Sequence, residues 1–213
     1  MTWGIPHFSS VTWPYCWVVF VFAMIQTRCT HHHNTRPSHV AHTPVLNTTE
    51  DSWLAIPHVS STWLLQGVFE KPEAFSLYAE FLQHHGVRAR MAAFRGTLSG
   101  NTWWVVDTRY AFQKVQDASQ FLNTHAARIA EGHPLLESSI QVGSLTPMLF
   151  GGMVRHPSTG TFFMTFIAVG TYRHYLYSFL AAVEIAEDPP SVDTHITWRP
   201  IFLQIFQTFL SVK

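Results

Sequence analysis

Three consecutive histidines are the first residues in this chain with the chemistry to bind a metal ion. His31, His32 and His33 are followed closely by His39 and His42. Neutral imidazole is the commonest nitrogen ligand for metals in proteins, but neighbouring residues of an extended segment cannot form a fixed tetrahedral site. We therefore expect adventitious binding of zinc, copper or nickel at these histidines, no specific metal site and no cofactor.

Asp107, Arg109 and His125 form a second candidate group, because a carboxylate, a guanidinium and an imidazole together could support hydrolysis. They would converge if the first two lie in a hairpin strand and the third lies in the helix after it. The same residue types also recur as ordinary surface pairs, and the sequence has no G-x-S-x-G, no H-E-x-x-H and no glycine-rich phosphate loop. We expect no catalysis and no catalytic residue, with a hydrolytic enzyme kept as an alternative.

Trp63, Trp103 and Trp104 are the side chains that we expect in a partner-binding surface. Successive residues of a strand point to opposite faces of a sheet, so Trp103 and Trp104 must lie on different faces. One of the two is then either exposed, where tryptophan is a frequent binding hot spot, or covered by the apolar segment at the C-terminus.

The C-terminal residues 198–210 predict a short helix that begins at Pro200. Trp198, Phe202, Phe206 and Phe209 belong to its wide apolar stripe. This stripe favours docking of the helix on a sheet. Contact with a membrane surface or with a partner is the alternative, with Trp198 at the polar edge.

Residues 16–25 are apolar and match the hydrophobic segment of a secretory signal, being too short to span a bilayer of roughly 30 Å. We interpret residues 1–29 as a signal peptide or a short anchor, although no Lys or Arg precedes the run. A buried core element is the alternative. Both cysteines, Cys16 and Cys29, lie in or beside this segment, so a cleaved chain would depend on no disulfide.

Residues 30–60 are rich in His, Pro and Thr and are predicted to form an extended linker. The linker contains an N-glycosylation sequon at Asn47. Together with the preceding segment, the sequon predicts the secretory pathway and an extracellular or membrane-surface location.

Charge is scarce in this chain, at 12% of residues with no net charge, whereas aromatic residues make up 15%. The lysines are Lys71, Lys114 and Lys213, which do not form the basic cluster that nucleic acid requires. We exclude nucleic acid as a partner. A surface so poor in charge is better explained if a partner, a glycan or a membrane covers part of it.

The hydrophobic pattern predicts an α+β fold: an antiparallel sheet with two or three packed helices over residues 61–190, followed by an amphipathic segment over 191–213. The first half reads strand, helix, strand, strand, helix, the order of a ferredoxin-like unit. The predicted strands are 62–69, 87–94, 103–106, 139–145, 162–169 and 175–185, and the predicted helices are 72–85 and 115–129.

Two families show a resemblance. Gly67-Val68-Phe69, Leu82 and Gly86, followed by an aromatic strand and a second amphipathic helix, resemble the SPOR repeat of bacterial envelope proteins over about sixty residues. That resemblance implies peptidoglycan binding, although residues 107–110 stand where the family has a Gly-Pro-aromatic turn.

The combination of signal, sequon, scarce lysine, many aromatics and an apolar C-terminus also resembles minor envelope glycoproteins of enveloped viruses such as arteriviruses. The leading interpretation is a secreted or membrane-associated glycoprotein, of viral envelope or accessory type, that binds a viral or host surface protein. A SPOR-like peptidoglycan-binding module is the alternative.

Overall fold

The computed structural model describes residues 51–57, 59–70, 86–130, 133–156, 159–185 and 194–210. The described elements are a 3-10 helix at Asp51–Leu54, strands β1 Trp63–Phe69, β2 Arg88–Leu98, β3 Asn101–Ala111, β4 Leu135–Glu137, β5 Met148–Arg155, β6 Phe162–Tyr172 and β7 Tyr175–Ile185, and helices α1 Val115–Ile129 and α2 Thr194–Leu210.

The described strands form one seven-stranded sheet in the order β1-β2-β3-β7-β6-β5-β4, and every pairing in it is antiparallel. The long strands β2, β3, β6 and β7 have 11 residues each. They form two hairpins, which meet where β3 pairs with β7 at the centre of the sheet. Strands β6 and β7 are buried along most of their length on both faces, and their sequences are largely apolar.

The two helices pack on opposite faces of the sheet, as the alternation of buried side chains along β6 shows. Phe166 and Ala168 belong to the larger core, which contains α2, whereas Ile167 and Val169 belong to a smaller cluster with side chains of α1. We call these the α2 face and the α1 face. The α2 face is dominated by aromatic rings, and Phe179 lies within ring-contact distance of three phenylalanines of α2.

The coarse prediction of an α+β fold with an antiparallel sheet and packed helices agrees with this architecture. Strand β1, the β2–β3 hairpin, β6, β7 and helix α1 all lie where the pattern predicted them. The turn between β6 and β7 falls at Arg173 and His174 rather than near Gly170. The predicted helix over 72–85 lies outside the described residues.

The ferredoxin-like detail is not confirmed. In such a unit the third strand lies between the first two, whereas β2 lies here between β1 and β3. The sheet is also larger, because β4 and β5 extend it beyond β6.

Two local predictions are wrong, and one strand was not predicted. Residues 139–145 form no strand and contain an isolated bridge between Val142 and Leu145. Strand β5 was missed, because its glycines resemble chain breaks. Helix α2 begins at Thr194, so Pro200 lies inside it rather than at its start. An interior proline costs a helix about 3 kcal/mol, and burial of the aromatic residues after Pro200 offsets this cost.

The described part of the predicted linker is not a solvated tether. Trp53 is buried in the core of the α2 face. Its ring stacks on Tyr172 and Tyr175, with centroid distances of 5.2 and 5.3 Å. Residues around Trp53 therefore contribute to the folded unit, because an indole ring packed in this way buries a large apolar area.

Candidate functional site

A row of three side chains crosses the open end of the α1 face. Leu64 of β1 pairs with Arg95 of β2, and Arg95 pairs with Trp104 of β3, so the three residues occupy one line across neighbouring strands. Trp103 and Val105, the neighbours of Trp104 in sequence, belong to the α2-face core. By strand alternation the row therefore lies on the α1 face. We call these three residues the Trp104 strip.

The strip combines apolar surface with a positive charge. Leu64 is 64% exposed, Arg95 is exposed and Trp104 is half-buried. The guanidinium carbon of Arg95 lies 5.6 Å from the centroid of the Trp104 ring, a cation–π geometry. Phe163 of β6 meets the same ring edge-on at 5.6 Å between centroids. These contacts fix the indole ring in place while part of it stays accessible.

This arrangement fits binding rather than catalysis, because a leucine, an arginine and a tryptophan supply no nucleophile and no general base. A fixed tryptophan rimmed by an arginine is typical of an interface hot spot. An incoming group could pack against Leu64 and the indole ring, while a carboxylate on it would pair with Arg95.

The other two predicted binding tryptophans lie in the core. Trp103 is fully buried and meets Trp198 of α2 edge-on at 5.8 Å. Trp63 is also buried, with its ring 5.0 Å from that of Phe209. The C-terminal segment therefore covers Trp103, as one of the two alternatives predicted. The prediction that Trp63 and Trp103 lie in an exposed binding surface is corrected.

Docking of the C-terminal helix is confirmed, because Phe202, Phe206 and Phe209 are buried against the sheet and Trp198 is half-buried. The rings of Phe202, Phe206 and Phe209 are thus not available to a membrane or a partner, and that alternative is corrected for these three residues. Neither α1 nor α2, the helices of the described chain, has both the length and the apolar character needed to cross a membrane.

Asp107 and Arg109 do converge, but His125 does not join them. The Arg109 Nε atom donates to Asp107 Oδ1 at 3.0 Å on the α2 face. His125 belongs to α1 on the other face, where its ring contacts Phe121 at 4.5 Å. The proposed hydrolytic group is therefore not assembled.

The partner that sequence reasoning missed is Arg90, whose Nη2 atom donates to Asp107 Oδ2 at 2.6 Å. Arg90 pairs with Arg109 across the β2–β3 hairpin, so both arginines reach the same carboxylate. The hairpin register was the available signal, since residues 90 and 109 come opposite each other once the turn is placed at 99–100.

Arg109 connects three parts of the fold. Its guanidinium donates to the main-chain oxygens of Trp53 at 2.7 Å and of Phe209 at 3.2 Å, and lies 4.7 Å from the centroid of the Trp53 ring. A cation at the C-terminal end of α2 also interacts favourably with the helix dipole. This buried cluster of Arg90, Asp107 and Arg109 therefore holds the 3-10 helix and α2 against the sheet.

Chemistry at the buried cluster is limited by its burial. Asp107 is fully buried and Arg90 is 2% exposed, so a substrate has no access to the carboxylate. Burial lowers the pKa of Arg90, with Asp107 opposing that effect. Since the carboxylate already accepts from two arginines, the cluster has a structural role.

The remaining predicted site residues, Asn47 and His31, His32 and His33, lie outside the described residues. Within the described ranges no three His, Cys, Asp or Glu side chains come together in a way that could hold a metal ion. Comparisons of the chain with protein-family models, with curated proteins and with solved structures gave no match. The fold and the site thus define an α+β protein with an antiparallel sheet and a half-exposed tryptophan strip.

Proposed function

We propose that this protein works by binding another protein through the Trp104 strip, as a secreted or membrane-associated glycoprotein without catalytic activity of its own. The observation that carries the proposal is the contrast among the predicted tryptophans: Trp63 and Trp103 are buried, whereas Trp104 is half-exposed beside Arg95, in the same row as the exposed Leu64. A viral envelope or accessory glycoprotein that engages a viral or host surface protein is the type that the composition favours.

The strip is suited to a protein partner for a physical reason. Leu64 is a large apolar side chain that water surrounds in the isolated chain, and covering it is favourable by about 25 cal/mol per Å² of apolar area. Trp104 is already fixed by Phe163 and Arg95, so its immobilisation costs little entropy on binding.

The binding test uses the full chain, carrying an affinity tag, expressed in secretory cells and chemically cross-linked before purification. We expect Trp104→Ala to reduce the recovery of a cross-linked partner by about tenfold or more, as for a hot-spot residue. Ile196→Ala is the matched control, because Ile196 is 60% exposed on α2, away from the strip. Equal recovery with both variants would refute the strip as the binding surface.

The secretory part of the proposal has its own test. In the same cells the product should lose its N-terminal segment and shift in mobility on enzymatic deglycosylation, and Asn47→Gln should abolish that shift. A cytosolic product that keeps Met1 and carries no glycan would contradict this part alone and leave the binding test valid.

Peptidoglycan binding remains the second proposal, since a half-exposed tryptophan also stacks on sugar rings. It predicts that the purified protein sediments with isolated sacculi and that Trp104→Ala abolishes this sedimentation. Absence of the protein from the pellet would eliminate the SPOR-like interpretation.

A further inference from the structure

A histidine between α1 and β4 makes two side-chain contacts with groups on different elements. His133 Nδ1 lies 2.9 Å from the main-chain oxygen of Ala130, at the C-terminal end of α1. His133 Nε2 lies 2.8 Å from Thr165 Oγ1 on β6. The Thr165 hydroxyl in turn donates to the main-chain oxygen of Gly152 on β5 at 2.8 Å.

These three contacts need three hydrogens. The carbonyl oxygens of Ala130 and Gly152 can only accept, so Nδ1 must donate to the first and the Thr165 hydroxyl to the second. The Thr165 oxygen then accepts from Nε2. A neutral imidazole carries one hydrogen and the hydroxyl carries one, which leaves one contact without a hydrogen. An imidazolium carries two, and with it all three contacts are complete.

The surroundings of His133 act on its charge in two ways. Burial lowers the pKa of His133, and the hydrogen bond to Ala130 raises it by a smaller amount. The Ala130 carbonyl belongs to the negative end of the α1 dipole, which also favours a cation there.

Charged groups of the described chain do not contribute to that shift, whose causes are burial and the Ala130 bond. Glu137 of β4 is paired with Arg199, and Arg155 of β5 lies over the ring of Phe162, which packs on the α2-face core. Among the described residues, two sets of titratable and charged groups lie on the α1 face or on α1. Arg95, Tyr110, His156 and Glu184 lie on or beside the strands, and Lys114, Asp117, His125 and Arg128 lie at or on α1.

We propose that His133, Thr165 and Gly152 form a proton-operated latch, in which uptake of one proton by His133 completes the hydrogen bonds that join the end of α1 to β5 and β6. At neutral pH the imidazole is neutral and one of the three contacts lacks its hydrogen. Because burial lowers the pKa of His133, the folded protein takes up this proton at a lower pH than an exposed histidine does, and at a cost in stability. Thr165 then donates to Gly152 without competition. The latch is independent of partner binding at the Trp104 strip.

The test is a pH titration of the full chain by nuclear magnetic resonance, with nitrogen-15 in the histidine rings. Below the pKa of His133 both ring nitrogens should carry hydrogen, and the amide resonances of Gly152 and Thr165 should shift with the same midpoint. Thr165→Val removes the acceptor of Nε2, so it should lower that midpoint by about one to two pH units. Thr165→Ser keeps the hydroxyl and should leave the midpoint nearly unchanged.

The latch is refuted if the midpoint is the same in Thr165→Val and Thr165→Ser. It is also refuted if the amide resonances of Gly152 and Thr165 stay unshifted when both ring nitrogens of His133 carry hydrogen, or if the protein unfolds in acid before that ring takes up its second hydrogen. If the valine variant does not fold, His133→Gln is measured instead. The pH-dependent shifts of the Gly152 and Thr165 amide resonances must vanish in that variant. Their persistence would overturn the proposal.

Discussion

Two tryptophans that are adjacent in sequence lie on opposite faces of the sheet and differ in their burial. On the α2 face, Trp103 is fully buried beneath Trp198, in a core built largely of aromatic rings. On the α1 face, Trp104 remains half-exposed beside Arg95, and a smaller cluster of Phe150, Ile167 and Val169 packs with α1.

The larger and more aromatic core lies on the α2 face, and under the proposed function a partner contacts the Trp104 strip on the α1 face. The α2 face also contains the buried ion cluster, in which Arg109 connects the sheet with α2 and the 3-10 helix. We therefore expect substitutions of buried side chains on that face to cost more stability than substitutions in the Trp104 strip. Substitutions that separate stability from binding therefore test the comparison.

The largest effect is expected at Trp103. Trp103→Ala should lower the free energy of unfolding by about 3–5 kcal/mol, because it leaves a large cavity in a close-packed core. Its neighbour Trp104 provides the matched control: Trp104→Ala should cost about 1 kcal/mol. Urea unfolding of both variants measures the difference, and equal losses would mean that the two faces do not differ in packing.

Removal of the buried carboxylate should have an effect of similar size. Asp107→Ala leaves two arginines buried without their shared partner, and we expect a loss of about 3–5 kcal/mol. Asp117→Ala is the control at an exposed position in the first turn of α1, where the loss should be no more than about 1 kcal/mol. A loss that is no greater at Asp107 would show that the cluster does not hold the α2 face together.

Close packing around Tyr177 gives a smaller prediction. A Cβ atom at Gly170 would clash with the Tyr177 hydroxyl oxygen, so Gly170→Ala should cost about 1–3 kcal/mol. The hydroxyl is buried and has no hydrogen-bond partner among the described residues. Tyr177→Phe should therefore be neutral or stabilising, and it should recover part of the loss when combined with Gly170→Ala. Additive losses in the double variant would contradict this account.

The smallest effect concerns pH. Burial holds the pKa of His133 in the folded protein below its ordinary value of about 6.5, so the unfolded chain binds more protons in mild acid. The contribution of this residue to stability is thus complete above pH 6.5 and is lost as the pH falls through the folded pKa. His133→Gln should flatten the decline in melting temperature between pH 7 and pH 5. If the melting temperature of this variant declines as steeply as that of the original protein, other histidines cause the decline.

Much of the fold follows from local pattern. The continuous apolar runs of β6 and β7 and the helical spacing in α1 predicted these elements correctly, because the strands are buried along most of their length and the helix buries one face. Strand β5 was not predicted, because a glycine such as Gly151 usually indicates the end of a strand in the sequence. In the structure a Cβ atom there would lie 2.7 Å from Leu136 Cδ1, so the glycine serves packing between β5 and the neighbouring segment.

The site was only partly predictable for a similar reason. The sequence required Trp103 and Trp104 to lie on different faces, but the position of α2 decides which face is covered. The role of Arg90 was not predicted, because its pairing with Asp107 depends on the hairpin register. That register follows from the turn rather than from the residues around Arg90.

The most direct test of the binding surface is site-specific photo-cross-linking on the full chain in secretory cells. A photoreactive phenylalanine derivative at position 64 keeps Trp104 and Arg95 in place, and the same derivative at position 196 reports on α2. We predict a discrete cross-linked partner from position 64 and none from position 196. A partner captured from position 196 but not from position 64 would contradict the assignment of recognition to the α1 face.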